Sequence, residues 1–486
     1  MTDVIETQLL INNKLVPASD KGTFELFSPH SGDLVAKVAE ATLDDVNAAV
    51  DAAQAAFPAW SALSPLERGA PLKKLAELHV SEKDELARLD AISMGKPVST
   101  HGIDVNYAVT QYNYFAEAAY PQGHTSLNTP GFLNMSLRQP FGVVAVIIPW
   151  NAPLIFFSKK VAPALAAGNC VVVKSSEKAP LTSWKVAQWI EKCGFPPGVV
   201  NVLSGHGQIS GQALAEHMKV RALSFTGSTR TGRAIAIAAA KSNLKKVVFE
   251  LGGKSPSLVF EDADIEQAAK ELELSINSNS GQACFASSRI YVQDSIKDAF
   301  IEAFTRIASA RKLGDPTIHT TNQGPQADKT QYETVQKYIA LGREEAGHTI
   351  DTSTSSPTTP SRHHIHPIIF TDIPETSRLT KEEIFGPVVL INSFTTEADA
   401  LAKANDTEYG LYASLYTRDL ERALRVAKKL ESGMLGVNCT SPTNCWDLPF
   451  GGWKGSGTGR ESLLESMEHY LEVKSVYVRV GGIGGS

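Results

Sequence analysis

Short runs of consecutive apolar residues alternate with helical spacing through most of the chain. Residues 143–148 (VVAVII) are continuous and β-branched, 161–167 (VAPALAA) read as helix, and 170–174 (CVVVK) read as a buried strand. Helical spacing returns over 184–192, and strand character over 199–203 (VVNVL) and 222–226 (ALSFT). Buried strands between amphipathic helices predict a parallel sheet covered on both faces. The fold class expected is α/β with Rossmann-like winding. A second αβ series begins after 250–256, with a strand at 289–292 (RIYV) and a helix over 296–310. Two segments lie outside both series, 132–138 (FLNMSLR) and 474–480 (KSVYVRV), and alternate like half-exposed strands. They predict a small appended sheet, one that another subunit could complete. The stretch 352–361 (TSTSSPTTPS) has no apolar periodicity and reads as a solvated loop.

Composition narrows the class. At 486 residues and 43% hydrophobic content the chain supports about three units of roughly 150 residues each. Charges sum to 46 − 52 = −6 and are spread along the chain, which argues against a nucleic-acid partner. Neither terminus shows a signal-peptide pattern. The longest apolar run, 143–148, is far short of the ~20 residues of a membrane span. Five scattered cysteines, an odd number, fit a reducing compartment better than a disulfide framework. A cytoplasmic protein with no membrane partner is expected.

Two glycine patterns follow strands. Gly205-x-Gly207-x-x-x-Gly211 has one residue more before its third glycine than the dinucleotide fingerprint, and a plain βα turn would explain it equally well. Phe225-Thr226-Gly227-Ser228-Thr229 could hold a phosphate at a helix start, or could simply cap the helix.

Cys284 lies among small residues in SGQACFASS (280–288). A lone cysteine is usually apolar filler, but small neighbours allow a helix start here, whose dipole lowers a thiol pKa. Glu250 ends an apolar strand and meets Gly252-Gly253, so burial would raise its pKa and suit it to general-base work. A strand-end charge facing water is the bland alternative. Asn151 closes the run VVAVII, where its amide could project toward a site. His363, His364 and His366 form the only histidine cluster, without paired Cys or carboxylate partners at zinc spacing. No metal is expected, and the cluster reads as a surface strand.

Together these segments resemble the aldehyde dehydrogenase superfamily over nearly the whole chain. The matches run in the family's order: Pro149-Trp150-Asn151, Lys174-Ser175-Ser176-Glu177, GFPPGVVN (194–201), Phe225-Thr226-Gly227-Ser228-Thr229, ELGGKSP (250–256), Gly281-Gln282-Ala283-Cys284, EEIFGP (382–387) and PFGGWK (449–454). Ser175, where many relatives have proline, and Trp453, where tyrosine is commoner, depart from the pattern without touching a catalytic position.

The resemblance implies NAD-dependent oxidation of an aldehyde to its acid through a cysteine thiohemiacetal and thioester, released by water. Cys284 matches the nucleophile, Glu250 the base and Asn151 the oxyanion donor. Lys174 and Glu177 match residues on the adenine ribose, Trp150 and Ser228 lie by the pyrophosphate, and Glu383 and Phe385 by the nicotinamide ribose. Ile148, Gly207, Phe225, Thr226, Gly227 and Leu251 complete the cofactor contacts. A carboxylate at Glu177 repels a 2′-phosphate, which favours NAD over NADP, although Lys174 would partly offset it. The alternatives are a semialdehyde dehydrogenase that acylates coenzyme A, which Glu250 argues against, and a non-catalytic NAD-binding scaffold.

The resemblance also implies a cofactor domain of 1–121 and 141–252, a catalytic domain of 253–455, and oligomerisation arms of 122–140 and 456–486. A homodimer or homotetramer follows. The substrate pocket carried over is Ala152, Phe156, Lys159, Ala283, Phe285, Asn444 and Phe450. Ala152, Phe156 and Lys159 share a helical face. There Lys159 could offer a cation to the carboxylate or phenolate of a bulky or aromatic aldehyde, or could snorkel to solvent.

Overall fold

The computed structural model describes residues 4–355, 362–443 and 445–480. Its largest sheet has eight strands, in the order Gly457–Thr458, Lys246–Glu250, Val220–Thr226, Val143–Ile147, Cys170–Lys174, Val200–Leu203, Leu9–Ile11 and Lys14–Val16. From Lys246–Glu250 to Val200–Leu203 every pairing is parallel. Val143–Ile147 and Cys170–Lys174 are buried along their whole length, which is why both are apolar at every position but the last of the second, Lys174. Among the parallel strands the chain begins at Val143–Ile147, winds outward through Cys170–Lys174 and Val200–Leu203, then crosses to Val220–Thr226 on the other side. Strand order therefore reverses between Val143–Ile147 and Val220–Thr226. That reversal opens a crevice at the carboxyl ends of the strands, where α/β folds bind ligands.

A second sheet of seven strands carries Pro256–Val259, Arg289–Gln293, Val388–Phe394 and Tyr412–Tyr416 among its parallel members. The α/β class read from the sequence is what the structure shows. The two strands outside the series pair with each other: Leu471–Arg479 runs antiparallel to Phe132–Pro140, from Leu471 opposite Pro140 to Arg479 opposite Phe132. Thr125–Ser126 completes this small sheet.

Three expectations need correction. The helix read over 184–192 is Leu181–Ala187. Beyond it, Trp189 and Ile190 donate to Val186 and Ala187, three residues back, and the coil tightens into turns before Gly194. The histidine cluster does not form a surface strand: His364 and His366 are buried. The His364 ring meets His30 edge-on at 5.3 Å, its Nε2 is 3.0 Å from the Gly314 carbonyl oxygen, and the strand begins later, at Ile368–Thr371. The supposed loop at 352–361 opens with the 3₁₀ turn Thr352–Ser355, and its remainder lies outside the described residues.

Candidate active site

Strand register sets four chain ends side by side. Ile147 lies opposite Lys174 and Phe225, and Thr226 lies opposite Glu250. The buried ammonium of Lys174 donates to the Ser175 carbonyl at 2.8 Å and lies 3.8 Å from Glu177. Burial lowers the Lys174 pKa while Glu177 and Glu40 oppose the shift. Ser228 caps the helix Thr229–Lys241, its hydroxyl accepting from Thr231 N. Ile148, Phe225 and Leu251 are buried, and Gly227 donates to the Glu250 carbonyl at 3.1 Å. Gly207 stands on an exposed turn at the start of Gly207–Gly211. Thr226 Oγ1 is buried with no hydrogen-bond partner. At the crevice mouth Trp150 meets the Phe385 ring edge-on at 5.3 Å, and Phe385 holds a left-handed φ of 58°.

Cys284 follows a strained hairpin. After the helix Ile265–Asn277 the chain passes through Asn279, Ser280 and Gly281 at φ of 49°, 60° and 77°. Such residues persist only where surroundings hold them, at ~1–3 kcal/mol each for non-glycines. Ser280 Oγ donates to the Gly324 carbonyl at 2.7 Å, and Gln326 Nε2 donates to the Ser280 carbonyl at 2.9 Å. Gly281 is required sterically too, since a Cβ there would lie 2.1 Å from the Gly386 carbonyl oxygen. Cys284 itself sits in a turn, so the expected helix start, and with it the dipole that would lower the thiol pKa, is absent. Burial, followed by Glu383 and Glu250, pushes the thiol up to about 12, while Lys159 pulls the other way. The residue nonetheless keeps part of its surface exposed.

Asn151 is buried beside this hairpin. Its Nδ2 donates one hydrogen bond to the Gln282 carbonyl at 3.0 Å, and Asn279 Nδ2 donates to the Asn151 carbonyl at 3.0 Å. An amide nitrogen carries two N–H groups, so one is left to meet an oxyanion.

Glu250 is 2% exposed, and neither carboxylate oxygen has a hydrogen-bond partner. Burial, with Glu461 next, lifts its pKa well above the usual carboxylate range against the pull of Lys159, Lys160 and Arg460. The strand-end carboxylate thus faces the interior, as the sequence reading of a poorly solvated group expects. Glu461 was not legible. It lies in the polar stretch GRESLLES (459–466), yet it is 3% exposed and paired with Lys160 at 2.6 Å, 301 residues away in the chain. Only the folded chain reveals it.

Glycines let the remaining groups approach. Gly253 N donates to Glu383 Oε1 at 3.0 Å, and a Cβ on Gly252 would lie 2.4 Å from Glu383 Oε2. A Cβ on Gly253 would lie 2.2 Å from the Cys284 carbonyl oxygen. Burial raises Glu383 to about 7, against the Gly253 N–H and Lys254.

Rings line the approach to Cys284. Phe285 meets Phe450 edge-on at 6.4 Å, and Tyr107 meets Trp446 at 5.2 Å. Tyr107 and Trp446 are further residues the sequence did not single out. Phe156 is buried, while Ala152, Ala283 and Phe285 are partly exposed. Asn444 lies outside the described residues. Lys159 does not snorkel: it is 3% exposed.

A crevice at the sheet's switch point holds a buried cation beside a half-exposed carboxylate, an unsatisfied threonine hydroxyl and a capped helix start, and a second carboxylate, Glu383, comes from the loop before Val388–Phe394. These groups fit a dinucleotide. The class defined is a dinucleotide-dependent oxidoreductase with a thiol beside the crevice. The sequence pattern of the aldehyde dehydrogenase family matches residues 15–476. Aldehyde dehydrogenase of Alternaria alternata is 41% identical over 480 residues, covering 98% of this chain and 96% of that one. Aldehyde dehydrogenase (NAD(P)+) 2 of Saccharomyces cerevisiae is 42% identical over 480 residues, covering 97% and 94%. Among solved structures, the indole-3-acetaldehyde dehydrogenase AldA of P. syringae, in complex with NAD+ and IAA, superposes with a TM-score of 0.92 at 38% identity, covering 98% of this chain and 97% of that one. The chain belongs to the aldehyde dehydrogenase family. It is an NAD(P)-dependent enzyme that oxidises aldehydes to carboxylic acids.

Proposed function

We propose that Cys284 is the nucleophile, Asn151 the oxyanion donor and Glu250 the base that releases the product. The observation that carries this is Glu250: a buried carboxylate with no hydrogen-bond partner, within electrostatic reach of the Cys284 thiol. Cys284 Sγ attacks the aldehyde carbon to form a thiohemiacetal, and the free N–H of Asn151 Nδ2 meets the developing oxyanion. With the thiol raised to about 12, its proton must leave as the bond forms, and it passes to solvent through the part of Cys284 that stays exposed, which leaves Glu250 free for the later step with water. Loss of hydride then leaves a thioester, and NAD, when bound, supplies the hydride acceptor. Glu250 next draws a proton from water, which attacks the thioester and frees the acid. A base so close to the thioester favours hydrolysis over transfer to coenzyme A.

Lys174 and Glu177 would hold the adenosine ribose, Ser228 and Trp150 the pyrophosphate side, and Glu383 with Phe385 the nicotinamide ribose. Ile148, Gly207, Phe225, Thr226, Gly227 and Leu251 would line the same path. NAD is preferred over NADP because Glu177 stands where a 2′-phosphate would come. The pocket would be formed by Ala152, Phe156, Lys159, Ala283, Phe285 and Phe450. The cofactor domain would comprise 1–121 and 141–252, the catalytic domain 253–455, and the arms 122–140 and 456–486 would join a homodimer or homotetramer. The exposed faces of Val473 and Tyr477, at 57% and 73%, support that last assignment. Among the described residues no helix is long and apolar enough to cross a membrane, and all five cysteines are free; a cytoplasmic enzyme is in keeping with both.

Glu250→Gln tests the assignment. It keeps the shape and removes the base, so NADH should appear in a burst near one equivalent and then nearly stop. A slow first turnover with no burst would place Glu250 in activating the thiol instead.

A further inference from the structure

Two buried lysines share one carboxylate beside the approach to Cys284. Lys160 Nζ takes Glu461 Oε1 at 2.6 Å, and Ser224 Oγ shares the same oxygen at 3.4 Å. Lys159 lies 3.5 Å from Glu461 Oε2, too long for a good hydrogen bond, and its polar neighbour on the other side is the Tyr107 hydroxyl; Oε2 has no hydrogen-bond partner. The Lys159 ammonium lies instead 3.3 Å from the centroid of the Phe450 ring, a cation–π contact, and 5.9 Å from that of Phe156. Phe450 in turn meets Phe285, the residue after Cys284. Lys159 is thus part of the wall that faces the reacting centre.

The local charges do not balance. Facing this wall are Lys159, Lys160, Arg460, Glu461, Glu250, Tyr107 and the Cys284 thiol. Burial opposes charge on Lys159, but Tyr107, Glu461, Glu250 and Cys284 together outweigh it and the ammonium stays protonated. Burial likewise opposes charge on Glu461, and Lys160 and Lys159 overcome it, so this carboxylate is ionised. Burial, with Glu461 next, raises Glu250 well above the usual carboxylate range, and burial raises the thiol to about 12. Lys159 and Lys160 therefore share the single carboxylate of Glu461, with Arg460 close by, in a buried site where an unmatched charge is costly. An anionic group on the substrate would supply the missing charge.

Resting on the active-site assignment above, we propose that Lys159 selects aldehydes that carry an anion, with an aromatic aldehyde bearing a carboxylate or acidic phenol as the best fit. The rings of Phe450, Phe285, Tyr107 and Trp446 provide flat apolar walls for the substrate ring, and Ala152 and Ala283 leave it room. Lys159 supplies the charge-assisted contact that an uncharged isostere lacks.

The test compares kcat/KM, with NAD, for a formylbenzoate and its uncharged methyl ester, in the wild type and in Lys159→Met. The wild type should prefer the carboxylate, and the ratio of the two values should fall at least tenfold in Lys159→Met. Lys159→Arg retains the charge and should retain the preference, which keeps the test informative if Lys159→Met fails to fold. Equal values for the two aldehydes in the wild type, or an unchanged ratio in a folded Lys159→Met, overturns the proposal alone. Turnover of neither aldehyde, or undiminished turnover in Cys284→Ala, overturns the assignment of Cys284 and this proposal with it.

Discussion

Lys160 and Glu461 form a hydrogen-bonded ion pair at 2.6 Å with both side chains out of water, 0% and 4% exposed. The pair joins the helix Pro153–Ala166 to the segment after Gly457–Thr458, and Glu461 also trades backbone hydrogen bonds with Phe450. It thereby fixes the wall of the substrate approach from behind.

Glu461→Leu should be severely destabilising, because it strands two buried ammonium groups. Removing one partner of a buried pair costs ~3–5 kcal/mol. Lys160→Met combined with Glu461→Leu should recover part of that loss. Urea unfolding midpoints check both, and a double variant as unstable as Glu461→Leu would deny the pairing any energetic role.

Glu250 should make stability fall as pH rises. Its folded pKa is well above 4.5, the value taken for a free glutamate. Between those two values the folded protein binds more protons than the unfolded chain, so deprotonation favours unfolding. The contribution is full below about 4.5 and is lost as pH climbs through the folded pKa. Glu250→Gln should flatten that decline, measured as melting temperature against pH, while also removing the rise of steady-state rate with pH that a base requires.

Cys284→Ala should abolish aldehyde oxidation and leave NADH binding, followed by fluorescence, near normal. Cys170→Ala, Cys193→Ala, Cys439→Ala and Cys445→Ala should each retain most of the rate. Cys170 and Cys193 are 0% and 1% exposed, out of reach of an aldehyde, whereas Cys284 keeps part of its surface open.

Gly253→Ala should damage catalysis as well as stability. A methyl group 2.2 Å from the Cys284 carbonyl oxygen must push the nucleophile's backbone away or move the strand end that carries Glu250. Overpacking of this kind costs ~1–3 kcal/mol. The expected signature is a kcat loss of at least tenfold with a folded protein by circular dichroism.

The parallel strands were legible because strands buried on both faces must be apolar at every position, as Val143–Ile147 is. Cys284, Glu250 and Asn151 could be named from local motifs, yet their environment could not. The low thiol pKa expected from a helix start gave way to a hairpin held by Ser280, Gln326 and Gly386, whose contacts all come from elsewhere in the chain. Lys159 posed a choice between solvent and interior that helical spacing cannot decide, since Glu461 is the partner that makes the interior tolerable. The helix read over 184–192 stopped short because periodicity continues through turns that hydrogen bonding does not.

Glu177 should set the choice between NAD and NADP. It stands 3.8 Å from Lys174, whose ammonium is already tied to the Ser175 carbonyl and is therefore poorly placed to neutralise a 2′-phosphate. A ribose hydroxyl can donate to the carboxylate, whereas a phosphate meets like charge. Glu177→Gln removes the repulsion and keeps an acceptor, so NADPH should bind about tenfold more tightly, ~1.4 kcal/mol, with a smaller change for NADH. The Glu177 side chain is 35% exposed, so solvent ions screen it, and discrimination in the wild type should narrow as salt is raised. Fluorescence titration with both reduced cofactors at two ionic strengths measures each effect. Parallel changes for NADH and NADPH would mean that the carboxylate holds the ribose without reading its 2′ position.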